Sequence, residues 1–148
     1  MDNSKNSKTS LVLQLKNNTI ALISIIIAIL SLSYNTWRNE QTEFNRNVRT
    51  SSFEILMSLA ELQLLFDYAY YGDTEEKKDP IKGWSYVLYI QDLTQTGSTE
   101  TQASANELHR VWNENWHDMD KQKVNSENIM LSIEHLRTDV LSTLKSLH

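Results

Sequence analysis

Apolar residues fall along this chain in two different ways. Residues 19–37 read T-I-A-L-I-S-I-I-I-A-I-L-S-L-S-Y-N-T-W, with no charge, no Gly and no Pro. Within them, nine of the thirteen residues 20–32 are Ile or Leu, and no polar face interrupts them. After Trp37 the apolar positions thin out and become periodic. Positions 37, 41, 44, 48, 51, 55, 59, 62, 66 and 69 step by three or four and trace one helix face. Trp37, Phe44 and Val48 are the sparse apolar residues of its first half, and Phe53, Ile55, Leu56, Leu59, Leu62, Leu64, Leu65 and Phe66 fill the second.

The pattern predicts one helix over residues 18–71, comprising a membrane anchor (19–37), a polar juxtamembrane stalk (38–52) and the first helix of a bundle domain (53–148). Residues 1–18, rich in Asn, Ser and Lys, read as a disordered tail ending in an interfacial patch, Leu11, Val12, Leu13 and Leu15. At 1.5 Å per residue the anchor would extend about 28 Å, close to the hydrocarbon core of about 30 Å. Tyr34 and Trp37 stand at its C-terminal edge, where amphipathic rings favour the interface, and Arg38 can snorkel to the headgroups.

Two other readings fit a run of this kind. A buried core helix would need to be surrounded, and a domain of this size hardly supplies the surroundings. A cleaved signal peptide would use Lys5, Lys8 and Lys16 as its basic region and Ser31-Leu32-Ser33 as its cleavage site. The run is long for that purpose, and the helical period continues past the site.

The breakers delimit three further helices. Gly72 and Asp73 close the first helix, and E-E-K-K-D (75–79) makes a solvated loop. Asp79-Pro80 opens a second helix as cap and first helical residue, running to about Thr96 with Ile81, Trp84, Val87 and Leu88 on one stripe. Gly97 stops it, and Thr99-x-x-Gln102 reads as a capping box for a third helix carrying Ala105, Leu108, Trp112, Trp116 and Met119. A polar link at 118–124 leads to a fourth helix from about Asn125, with a seam of Ile129, Ile133, Leu136, Val140, Leu144 and Leu147. Short connections predict an all-α, up-down four-helix bundle whose first helix continues from a transmembrane helix. They also predict that Leu144 and Leu147 come near Val48 and Phe44.

Composition narrows the function classes. Of 148 residues, 14 are Lys or Arg and 19 Asp or Glu, a net charge of −5. Residues 38–148 hold 11 basic and 18 acidic side chains, hence −7 (11 − 18), which argues against nucleic acid as a partner. No cysteine is present, so disulfides, thiolate catalysis and cysteine metal sites are excluded. Glycines occur only at 72, 83 and 97, too few for a phosphate-binding loop.

Candidate chemistry is sparse. Glu114-x-x-His117 has the spacing of a di-iron bundle site, but the second Glu-x-x-His pair that such a site needs is missing. His109, His117, His135 and His148 stand at no recognisable catalytic spacing from a nucleophile, so no catalytic residue, metal ligand or cofactor site is assigned and no enzyme is expected. Trp84, Trp112 and Trp116, with tyrosines nearby, are the candidates for an aromatic ligand pocket, although large aromatics more often fill the core of a small bundle. Arg46 and Arg49 are the candidate contacts for lipid headgroups or a partner helix.

The segments Y-N-T-W-R-N-E (34–40), R-N-V-R (46–49), F-E-I-L (53–56), E-L-Q (61–63), G-W-S-Y-V (83–87) and D-L (92–93) resemble a group of short, uncharacterised proteobacterial single-pass membrane proteins. That resemblance implies a bacterial inner membrane and an uncleaved anchor. It implies no activity. Flanking basic residues leave the orientation nearly tied: Lys5, Lys8, Lys16 and the amino group on one side, Arg38, Arg46 and Arg49 on the other. The count leans to a cytoplasmic N-terminus and a periplasmic domain. The expected role is a membrane-anchored interaction or scaffold protein, an accessory subunit whose partners are the bilayer and either another protein or a second copy meeting it through helices. A ligand-binding sensory domain signalling through the stalk helix is the alternative.

Overall fold

A computed structural model describes residues 3–71, 80–119 and 121–147. The chain is all-α. Helix α1 spans Asn3–Tyr71, α2 Pro80–Leu93, α3 Thr99–Asn115 and α4 Lys123–Ser146, with single 3-10 turns at Thr94–Thr96 and Trp116–Asp118. Four helices pack in a bundle, and the first of them is long and apolar. Contacts divide the chain into two units, Met1–Glu43 and Phe44–His148.

In the first unit, α1 begins at Asn3, where the sequence predicts a disordered tail over 1–18. Starting a helix is its costly step, and each further residue adds one hydrogen bond for two dihedrals fixed. No Gly or Pro stands before residue 72, so nothing in 3–18 stops propagation from the apolar run that follows. The nine Ile and Leu side chains of 20–32 are all exposed, at 48–68% of their full area. Ser24 hides its hydroxyl by donating to the Ile20 carbonyl at 2.8 Å. By length and composition this helix qualifies as a membrane span: its most apolar window has a mean hydropathy of 1.9 and is 0% buried. A signal sequence near an N-terminus passes the same test.

The second unit begins at Phe44, earlier than the predicted bundle boundary at 53. Val48 and Ser52 are already buried, so the distal part of the predicted stalk belongs to the packed domain. Side-chain hydrogen bonds and ring contacts fix the directions of the helices. Thr96, in the 3-10 turn that follows α2, donates to Ser51 of α1 (3.2 Å). Gln91 donates to Asn106 (2.7 Å), while a Cβ on Gly83 would meet Trp112, so α2 and α3 are antiparallel. Thr143 of α4 hydrogen-bonds Ser98 (3.2 Å) and Thr101 (3.0 Å) at the start of α3, and Asn128 donates to Asn115 near its end (3.3 Å). The order is therefore up-down-up-down. The C-terminal turn of α4 lies at the same end of this unit as Ser51, as the predicted topology requires. Leu144 and Leu147 are half-buried there, while Phe44 is exposed.

One apolar core joins all four helices. It holds Ile55, Leu59, Leu62 and Phe66 from α1, Val87 and Ile90 from α2, Leu108 and Trp112 from α3, and Ile129, Ile133, Leu136 and Val140 from α4. Each such side chain stabilises the fold by about 1.5–3 kcal/mol relative to exposure. Helix α3 is capped by Ser98 and not by Thr99 as the sequence suggested: Ser98 has extended backbone (φ −69°, ψ 161°), and its hydroxyl accepts from the Thr101 amide. Gln102 instead donates to the Gly97 carbonyl (3.3 Å). Helix α4 starts two residues earlier than predicted, and the loop 72–79, with the Asp79 cap, lies outside the described residues.

Gly83 lies against Trp112, whose ring is fully buried: a Cβ there would fall within 2.9 Å of Cη2 and nearer still to Cζ2. Overpacking costs about 1–3 kcal/mol, against about 1 kcal/mol gained by replacing a mid-helix Gly with Ala. Gly83→Ala is expected to lower Tm in a thermal melt followed by circular dichroism. In a Trp112→Leu background the same change is expected to raise it.

Candidate functional site

The surface between α3 and α4 carries the most organised polar chemistry among the described residues. Glu107, Arg110 and Glu114 lie at i, i+3 and i+7, and so share one face of α3. Arg110 holds Glu107 with two bonds, from Nε (2.9 Å) and Nη2 (2.6 Å), and Glu114 with a third from Nη1 (2.6 Å). These residues form one wall of an open groove of about 500 Å³. Asn128, Leu131, Ser132 and His135 of α4 form the other wall, with Val111 and Asn115 between. Asn115 is buried yet satisfied, donating to the Val111 carbonyl (2.7 Å) and accepting from Asn128. Leu131 stands exposed at the rim.

Electrostatics follow from the ladder. The hydrogen bond from Arg110 holds the Glu107 carboxyl below its ordinary value of 4.5; slight burial opposes this, and the charges of Arg110 and His135 add to it. Its hydrogen bonds to Glu107 and Glu114 push the Arg110 guanidinium up in turn. Glu107 faces a fixed cation, so its carboxyl is not poised to take a proton near neutral pH.

At one end of this groove the fold brings Ser104, His135 and Asp139 together. Ser104 is buried, and its hydroxyl donates to an Asp139 carboxylate oxygen. His135 Nδ1 lies 3.4 Å from the same hydroxyl, and its Nε2 lies 3.9 Å from Asp139. These residue types are those of a nucleophilic triad, but the connectivity differs. A triad needs the hydroxyl proton aimed at an imidazole nitrogen that accepts it. Ser104 gives its single proton to Asp139, which leaves Nδ1–H as the donor toward Ser104. The cluster is a polar tie between α3 and α4.

The residues singled out from the sequence stand elsewhere. Tyr34 and Trp37 are exposed, with ring centroids 6.1 Å apart, and Arg38, Arg46 and Arg49 are exposed on α1. Trp112 is fully buried, and its Nε1 is the one buried side-chain polar atom among the described residues without a partner. Trp84 and Trp116 are half-buried against the core, each beside a histidine ring, His109 at 5.5 Å and His117 at 3.6 Å. None of the three tryptophans lines the α3–α4 groove or the smaller one beside Ser98 and Thr143. Glu114 is ion-paired to Arg110, while His117 is exposed in the 3-10 turn after α3, so the α-helical i, i+3 geometry is not kept. No cluster of three or more metal-binding side chains occurs among the described residues.

The Glu107–Arg110–Glu114 ladder was open to sequence reasoning through its spacing. The Ser104–Asp139 tie was not, because it joins residues 35 apart through a packing angle. No family model, curated protein or solved structure matches this chain.

Two measurements check this geometry. In an NMR titration the Glu107 carboxyl is expected to titrate below 4.5, and Arg110→Gln is expected to move it up. An unfolded chain binds this proton at higher pH. The pair's small stabilisation is therefore complete above about 4.5 and lost as pH falls through the folded value. Ser104→Ala removes the donor to a half-buried carboxylate and is expected to cost about 1–3 kcal/mol in a urea melt. An unchanged midpoint would show that the tie contributes nothing.

Proposed function

We propose that this chain is a single-pass protein of a bacterial inner membrane whose helical bundle acts by binding protein, as an accessory or scaffold subunit of a membrane complex. The observation that carries the reading is the exposure of every Ile and Leu in 20–32, on all sides of the helix. A helix apolar all round belongs in a core or a membrane, and no described side chain of this protein covers it. Tyr34, Trp37 and Arg38 then serve as interface anchors, and Arg46 and Arg49 as contacts for headgroups or a partner. The flanking charges favour a cytoplasmic N-terminus and a periplasmic bundle.

Binding is favoured over catalysis by how the polar groups are used. Ser104, Glu107 and Glu114 each already hold a partner within the chain. Exposed apolar side chains remain on the bundle surface, including Met57 and Leu131. The sensory alternative rests on the continuity of α1 from Asn3 to Tyr71. It would be favoured by a thermal shift with one class of small molecule, since a ligand of the folded state alone stabilises that state.

Alkaline carbonate extraction of membranes tests the anchor. The wild-type chain is expected in the pellet with its N-terminal segment intact. Ile26→Arg with Ile29→Arg is expected to move it to the soluble fraction, because each arginine at a span centre costs about 2.5–3.5 kcal/mol. A wild-type chain released by carbonate and beginning near Tyr34 would sink the reading in favour of a cleaved signal. Purification in mild detergent then tests the scaffold role, with a stoichiometric protein partner as the expected outcome.

A further inference from the structure

Helix α1 carries a second apolar face, turned away from the core. Its core face holds Ile55, Leu59, Leu62, Phe66 and Ala69, all buried. Phe53, Met57, Ala60, Leu64, Tyr68 and Tyr71 are all exposed, Met57 at 66% and Tyr71 at 69%. Their steps of four, three, four, four and three keep them within a narrow stripe, and at about 100° per residue it lies roughly opposite the core face. A helix that only needed a core would carry polar residues there.

We infer that this stripe is a homodimer face on which a second copy of the chain packs its own α1 in parallel. The inference rests on the scaffold reading and names its partner. Charge supplies the first argument. With Phe53 and Ala60 at heptad position d and Met57, Leu64 and Tyr71 at a, Arg49 falls at g and Glu54 at e. Parallel helices pair g of one with e of the other five residues on, which sets Arg49 against Glu54 of the second copy twice over. Within one chain these two side chains are exposed, and neither takes part in an ion pair among the described residues. An antiparallel pairing would instead face e with e, bringing Glu54 and Glu61 together as like charges.

Area supplies the second argument. The exposed portions of the stripe side chains come to roughly 500 Å² per copy, taking about 150–250 Å² for a whole aromatic side chain. Two copies give about 1,000 Å², close to the lower end of the range of about 1,200–2,000 Å² typical of specific interfaces. Chains confined to one membrane also meet at a high effective concentration.

The absence of native cysteine makes the test direct. Met57→Cys and Leu64→Cys in the full chain, oxidised in native membranes, are expected to form disulfide dimers. Asn113→Cys, exposed on α3, is expected to stay monomeric. Arg49→Glu is expected to weaken dimerisation about tenfold in analytical ultracentrifugation, as loss of two interfacial charge pairs allows, and Glu54→Arg in the same chain is expected to restore it. All these positions are exposed, so helicity should be unchanged. A monomeric wild-type chain overturns the inference, as does cross-linking of Asn113→Cys as strong as that of Leu64→Cys. A monomer that co-purifies with a different membrane protein, or whose stripe is shielded by lipid vesicles alone, also overturns it while leaving the scaffold reading in place. A cross-linked dimer that carbonate releases supports it while overturning the membrane reading.

Discussion

Thirteen residues of α1, 20–32, present Ile, Leu and Ala in every direction, and none of the described side chains lies over them. Left in water, nine half-exposed Ile and Leu side chains would forgo on the order of 10 kcal/mol of burial. Hydrocarbon is a medium that covers a single helix on all sides while its backbone groups stay paired internally. The proposed location follows from that requirement. So does the division of the chain, since residues 3–43 have few contacts to make and the bundle from Phe44 onward is closed on its own core.

The same helix meets a different demand further along. Between Phe53 and Tyr71 one face packs into the four-helix core and the opposite face offers aromatic and aliphatic side chains to the outside. Elsewhere several polar groups are paired inside the chain. Hydroxyls of Ser98, Thr101 and Thr143 hold the start of α3 to the end of α4, and Asn115 with Asn128 holds the other end. Surface chemistry that is already paired binds nothing by itself, whereas uncovered apolar area does. That contrast favours an interaction role over a catalytic one.

Much of this was legible in the sequence. The step of three and four along 48–69 and the seam at Ile129, Ile133, Leu136 and Val140 named buried positions, because a helix converts spacing into a face. Pro80 placed the start of α2, and Gly97 the end of the 3-10 turn that follows it, while α2 itself stops at Leu93, three residues before the expected Thr96. Three features were not legible. The sequence pattern groups Phe53 and Leu64 with the core residues of the same helix, since apolar content alone does not say which of two faces turns inward. Ser98 took the cap from Thr99 because the backbone after Gly97 stays extended for one more residue. The meeting of Ser104, His135 and Asp139 depends on how α3 and α4 cross, which no local pattern encodes.

The central claim is that lipid, and not protein, surrounds residues 20–32. Single cysteines placed at each of these positions in turn, and treated with a membrane-impermeant maleimide in intact membranes, test it most directly. Protection at every position, with reactivity returning beyond Arg38, is the result predicted. Reactivity that rises and falls with a period of about 3.6 residues along 20–32 would mean that one side faces water and the other faces protein, and would contradict the account.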